Sequence, residues 1–245
     1  MNRREFIATA ALAAGAVWAM PAGAVWAMPA GTAMAATPAL GEPFRMARIR
    51  GHFRWADHPT GDQYLLKTFR EQTGVHTDCT WYVVGLTDLN EMVKYPVLFL
   101  TSPEPFAYSP EEQRNLKEYL LRGGFLFADD CVYKGNGPRD LFFTSVKNMI
   151  DGMFEAKMTE IPLTDDLFHC FYDVPKVPVM QGKDDGAWGL YLKGRLAVFL
   201  DSGDIHCGWQ SRYMREHGIG HWFAVDEETQ SLHLGVNVLV YMMSH

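Results

Sequence analysis

The chain has 245 residues, 48% hydrophobic and 21% charged, a balance that excludes a disordered or fibrous protein and leaves material for a sizeable core. Its formal net charge is −7 and its Lys and Arg residues form no cluster, so nucleic acid is excluded as a partner, because neutralising phosphates needs a basic surface.

At the N-terminus, Asn2-Arg3-Arg4-Glu5-Phe6-Ile7 places an arginine pair ahead of an Ala-rich, weakly hydrophobic stretch, the pattern of a twin-arginine export signal. Residues 15–22 and 23–30 are tandem copies of Gly-Ala-Val-Trp-Ala-Met-Pro-Ala. Pro21 and Pro29 interrupt the apolar run, and Ala33-Met34-Ala35 has the small-x-small form of a cleavage site, so removal is expected rather than a retained membrane span. No Cys lies near that point to take a lipid. Cleavage leaves 20 basic and 28 acidic residues, a formal charge of −8. The expected organisation is a signal peptide over 1–35 and a single α/β domain over 36–245, exported to the periplasm with no membrane span in the mature protein. The twin-arginine route carries folded proteins, often with a cofactor already loaded.

Phe44 to Arg50 alternates apolar residues with arginines and predicts a first strand. His52, Trp55, Asp57 and His58 then crowd one polar loop, read either as the wall of a pocket or as a solvated loop with a packed Trp. Tyr64, Leu65 and Phe69 predict a helix over 61–73, stopped by Gly74. A strand follows over 75–84, a short helix over 86–93, and a fully apolar strand at Val97-Leu98-Phe99-Leu100. Ser109-Pro110-Glu111-Glu112 combines an N-cap, a first-turn proline and a capping-box acid, and predicts a helix over 110–122 ended by Gly123. Phe125 to Ala128 is a second fully apolar strand, so strand, helix and strand form a βαβ unit whose two strand ends open on one edge.

The stretch that closes this unit, Gly123-Gly-Phe-Leu-Phe-Ala-Asp-Asp-Cys131, delivers two carboxylates and a thiol at a strand end, where open α/β sheets hold ligands. Gly135 to Pro138 reads as a loop and Asp140 as the cap of a helix running to about Met153. Residues 159–181 read as irregular, 187–192 and 195–201 as a hairpin about Lys193-Gly194, and roughly 227–243 as a final helix with Leu232, Val236, Leu239, Val240 and Met243 as its core stripe. His217 and His221, four positions apart with Gly218 and Gly220 between them, read as surface residues.

The Gly123–Cys131 stretch, Tyr95 to Thr101, Phe168 to Tyr172, Cys207-Gly208-Trp209 and Leu234 to Tyr241 together resemble the bacterial domain of unknown function 4159, over nearly all of the mature chain. The resemblance implies an α/β flavodoxin-like or class I glutamine amidotransferase-like three-layer sandwich with a mainly parallel central sheet. It implies no reaction. Cys131 stands where such a fold invites a nucleophile, but no Gly-x-Cys-x-Gly elbow surrounds it and no His-x-Glu pair follows, which argues against glutaminase chemistry.

Asp129, Asp130, His169 and Trp209 are the ligand-binding candidates. Asp130, His206 and Cys207 are the metal candidates, since carboxylate, imidazole and thiolate are all donors to divalent ions. Adjacent residues on a strand point oppositely, so one of Asp129 and Asp130 faces the ligand, and Asp130 is favoured. Cys131 and Cys207 form the alternative pair, a disulfide suited to an oxidising compartment. Two functions fit this set: a module that binds a divalent metal or small ligand or assembles with a partner, and a hydrolase in which a held cation activates water.

Overall fold

The computed structural model describes residues 41–132, 141–181 and 184–245. The predicted signal over 1–35, the Gly135–Pro138 loop and the Asp140 cap lie outside them. In chain order the elements are β1 (Met46–Arg50), α1 (Pro59–Thr73), β2 (Tyr82–Gly85), α2 (Leu89–Met92), β3 (Val97–Ser102), α3 (Pro110–Leu121), β4 (Phe125–Asp130), α4 (Leu141–Met153), β5 (Thr159–Glu160), a 3-10 turn (Asp166–Phe168), β6 (Ala187–Leu192), β7 (Arg195–Asp201), α5 (Ile205–Glu216) and α6 (Val225–Ser244).

The seven strands form one sheet in the order β2-β1-β3-β4-β7-β6-β5. From β2 to β7 neighbours run parallel, and β6 and β5 are added antiparallel. Helices cover both faces. Met46, Phe99, Phe127 and Phe199 point into one core with α1, α5 and α6. Leu98, Leu126, Val198 and Leu200 point into a second core with α3 and α4. This is a three-layer α/β sandwich, and its two-sided burial explains why the central strands read as unbroken apolar runs.

Local chemistry sets the element ends. Ser109 N–H donates to Glu112 Oε2 at 2.8 Å and Glu112 N–H to Ser109 Oγ at 3.2 Å, the expected capping box. Gly74, at φ 76°, ends α1 with its N–H on the Arg70 carbonyl. Three expectations are corrected. The strand over 75–84 is only Tyr82–Gly85, with one isolated bridge from Thr77 to Phe44. Within the irregular 159–181 segment, Thr159–Glu160 forms an edge strand. Between the hairpin and the final helix, where no element was expected, Ile205–Glu216 forms the helix α5.

Candidate metal centre

Strand parity decides what each end residue faces. Thr101, Asp129 and Asp201 continue the side that carries Phe99, Phe127 and Phe199, toward α5, whereas Ser102, Asp130 and Ser202 continue the opposite side. Asp129, rather than the favoured Asp130, therefore meets α5. In the parallel ladder Asp129 sits beside Thr101 on one strand and Asp201 on the other.

Asp129 performs a structural task there. Its Oδ1 accepts from Ile205 N–H at 3.0 Å and its Oδ2 from His206 N–H at 3.1 Å. A carboxylate on β4 thus caps the first turn of α5, where unpaired amides and the helix dipole favour negative charge. The residue in the cap position, Asp204, makes no side-chain cap bond and sits in the left-handed region at φ 58° and ψ 46°. Asp tolerates that region better than most residues, at a cost of about 1–3 kcal/mol that surrounding contacts must offset. Its Oδ2 accepts from Gln181 Nε2 at 2.8 Å, and its Oδ1 has no hydrogen-bond partner. Gly203 is required beside it, because a Cβ there would stand 2.1 Å from the Pro178 carbonyl oxygen.

The Asp204 backbone turn brings three donors together. Sulfurs of Cys131 and Cys207 and a carboxylate oxygen of Asp204 all lie within 4.8 Å of one another, and all three residues are buried. Cys131 follows β4 directly and Cys207 lies in the first turn of α5. The two sulfurs are neighbours but unbonded, and all four cysteines are free thiols.

Charge accumulates at this edge. Asp129, Asp201 and Asp204 are each wholly buried, and among the described residues no Lys or Arg pairs with any of them. Burial, then the field of Asp129, pushes the Asp201 carboxyl well above the usual carboxylate range. Burial, then Cys131 and Asp129, does the same to Asp204. Asp129 is raised as well, burial outweighing His206 and the donated amides. Contact with Cys131, then burial and Asp204, pushes the Cys207 thiol well up. Each of these shifts favours the protonated form, which a nearby cation would oppose.

The remaining candidates lie elsewhere. His206 follows the α5 cap but turns its ring away from the thiols: Nε2 lies 3.0 Å from Asp62 Oδ1, 3.1 Å from Arg48 Nη2 and 3.1 Å from the His58 carbonyl. Asp62, within the apolar stripe of α1, accepts from Arg48 Nε at 3.0 Å and from Trp81 Nε1 at 3.0 Å, and Arg48 Nη2 donates to its other oxygen. Burial raises Asp62, but Arg48 and His206 outweigh it and hold the carboxyl below its ordinary value. The polar loop serves this knot, since the Trp55 and Asp57 carbonyls accept from Arg48 Nη1 at 2.8 and 3.4 Å. Trp209, expected on a ligand wall, is instead wholly buried between Phe99, Phe127 and His206, with Nε1 donating to the Ser231 carbonyl at 2.9 Å. His169 is held at the 3-10 turn by Asp173 and the Leu163 carbonyl, both at 2.7 Å, rather than by the acid cluster. His217 and His221 are exposed. Cavities of about 220 and 250 Å³ open along α1 and α5, and none of the strand-end acids lines either.

Sequence reasoning missed Asp201 and Asp204 as partners of Asp129. The available sign was Asp201-Ser-Gly-Asp204 directly after an apolar strand, the same grammar as Ala128-Asp-Asp-Cys131.

Fold and site together define an α/β sandwich with carboxylates and thiols gathered beyond the C-terminal ends of its parallel strands. Residues 45–243 match the family described as Domain of unknown function (DUF4159), and the chain belongs to that family. No curated protein matches it, and no helix among the described residues is long and apolar enough to cross a membrane.

Proposed function

We propose that this protein is an exported, periplasmic binding or assembly module that holds a metal ion at the C-terminal edge of its sheet. One observation carries the reading: Asp129, Asp201 and Asp204 are buried together with no basic side chain paired to them among the described residues. Burying an uncompensated carboxylate costs several kcal/mol, and a bound cation removes most of that cost. The twin-arginine pattern over residues 1–35 supports export, and the parallel strands of 36–245 support a single domain of flavodoxin-like or class I glutamine amidotransferase-like type.

Elemental analysis of protein purified from the periplasm tests the reading, with stoichiometric metal expected. Metal-free protein with two thiols missing would replace it with a structural Cys131–Cys207 disulfide. Substituting Arg3 and Arg4 by Lys should leave the protein in the cytoplasm on fractionation; continued export would remove the twin-arginine part alone.

The second reading, a metal-dependent hydrolase, is favoured by the donor count. Three protein ligands leave a position at which a tetrahedral ion can hold water. Hydrolysis of amide, ester or glycoside substrates that is lost on chelation and restored by metal would establish it.

A further inference from the structure

Resting on the metal-binding reading, we infer that the ion is a thiophilic divalent cation of the zinc class, with Cys131, Cys207 and Asp204 as its protein ligands. Magnesium and calcium take six or more oxygen donors, and the carboxylates here are not arranged to supply them. Asp129 spends both oxygens on α5 amides, and Asp201 Oδ2 accepts from Gly203 N–H at 2.9 Å. Two sulfurs and one oxygen form the group that converges within 4.8 Å, a donor set that selects zinc-like ions. A tetrahedral ion with bonds of about 2.3 Å to sulfur spaces its donors about 3.7 Å apart, a contraction of roughly 1 Å at most that side-chain rotation can supply.

The surroundings are built for such an ion. Gln181 fixes one oxygen of Asp204 and leaves the other, wholly buried, without a hydrogen-bond partner. Outer contacts of this kind orient metal ligands and tune their strength. The two thiols come from the end of β4 and the first turn of α5, elements already tied through Asp129, so the sulfurs are held in place before metal arrives. Coordination forms two metal–sulfur bonds and one metal–oxygen bond, and the protons carried by the two thiols and the Asp204 carboxyl leave to solvent. His206 takes no part, because neither of its ring nitrogens joins the donors that converge within 4.8 Å, and its Nε2 is held by Asp62 and the His58 carbonyl.

The test uses the full mature chain, reduced, stripped with chelator and titrated with Co²⁺ and Zn²⁺. Co²⁺ should give a thiolate-to-metal charge-transfer band that Zn²⁺ abolishes. Cys131→Ser, Cys207→Ser and Asp204→Asn should each weaken binding by about 100-fold, whereas Cys79→Ser and Cys170→Ser should leave it unchanged. Asn tolerates the left-handed backbone at 204, so Asp204→Asn changes charge without changing the turn. Should a cysteine variant fail to fold, alkylation of the unmodified protein replaces it: Zn²⁺ should slow modification of Cys131 and Cys207 about tenfold or more and spare Cys79. Stoichiometric metal with no charge-transfer band and unprotected thiols would overturn the zinc-class assignment and leave the metal-binding reading standing. No metal uptake, with or without a Cys131–Cys207 disulfide, would overturn both.

Discussion

The Arg48–Asp62–His206 knot and the Asp129–Asp201–Asp204 edge are both buried, both touch the first turn of α5, and handle charge in opposite ways. In the knot, Arg48 meets Asp62 through two donors, Trp81 adds a third, the Trp55 and Asp57 carbonyls accept from Arg48 Nη1, and His206 Nε2 lies against Nη2. At the edge, the three carboxyls meet amides, Gln181, the Cys131 and Cys207 thiols and one another, with no Lys or Arg paired to them among the described residues. The same helix turn thus separates a site whose charge is balanced within the chain from one whose carboxyls have no basic partner among the described residues. Burial without compensation, rather than burial alone, is what supports the proposed ligand site.

The hardest way to break this comparison is to make the knot resemble the edge. Arg48→Met leaves Asp62 buried without its counter-charge, and equilibrium urea denaturation should show a loss of about 3–5 kcal/mol. The double variant Arg48→Met/Asp62→Leu should recover most of that loss. If Arg48→Met costs under about 1 kcal/mol, the knot does not balance its own charge. A smaller effect separates packing from ligand contact. Trp209→Phe removes the donor to the Ser231 carbonyl and leaves a void among Phe99, Phe127 and His206, so stability should fall by about 2 kcal/mol. Metal affinity should change by less than about twofold in the same variant, as expected of a residue that supports α5 without touching the ion.

The sequence made the frame legible where local and global preferences agree. The apolar runs of β3 and β4, the capping box of α3 and the βαβ grammar between them follow from nearest-neighbour chemistry. Helix α5 was hidden for a physical reason: its cap is the side chain of Asp129, 76 residues earlier, and its own cap residue adopts a left-handed turn. Trp209 read as a pocket wall because an aromatic beside Cys207 looks alike on a loop and on a helix. Only as a helix does the chain turn Cys207 toward Asp204 and Trp209 toward Ser231. Arg48 likewise reads as an outward residue in an alternating strand until β1 proves central, and the one local clue was an aspartate, Asp62, at a core position of the α1 stripe.

The mildest substitution bears most directly on the edge. Asp201→Asn keeps shape and hydrogen-bonding capacity and removes one charge, so its effect must depend on pH. A carboxyl raised in the folded chain keeps its proton there longer than in the unfolded chain, so stability is fullest below about pH 4 and is lost as pH rises toward the folded value. Asp62, held low, behaves oppositely, its contribution being lost as pH falls. His58, lowered to about 4 chiefly by burial and then by His206, also loses its contribution as pH falls below about 6.5. Both are common to the two proteins and cancel in the difference. The chelator-stripped variant should therefore match the unmodified protein near pH 4 and become the more stable of the two as pH rises toward 8, read by urea denaturation at each pH. With Zn²⁺ bound the advantage should shrink, because the ion supplies the compensation that Asn supplies by being neutral. A pH-independent difference, or a variant less stable at pH 8, would mean that the edge is already balanced within the chain and that the contrast with the knot fails.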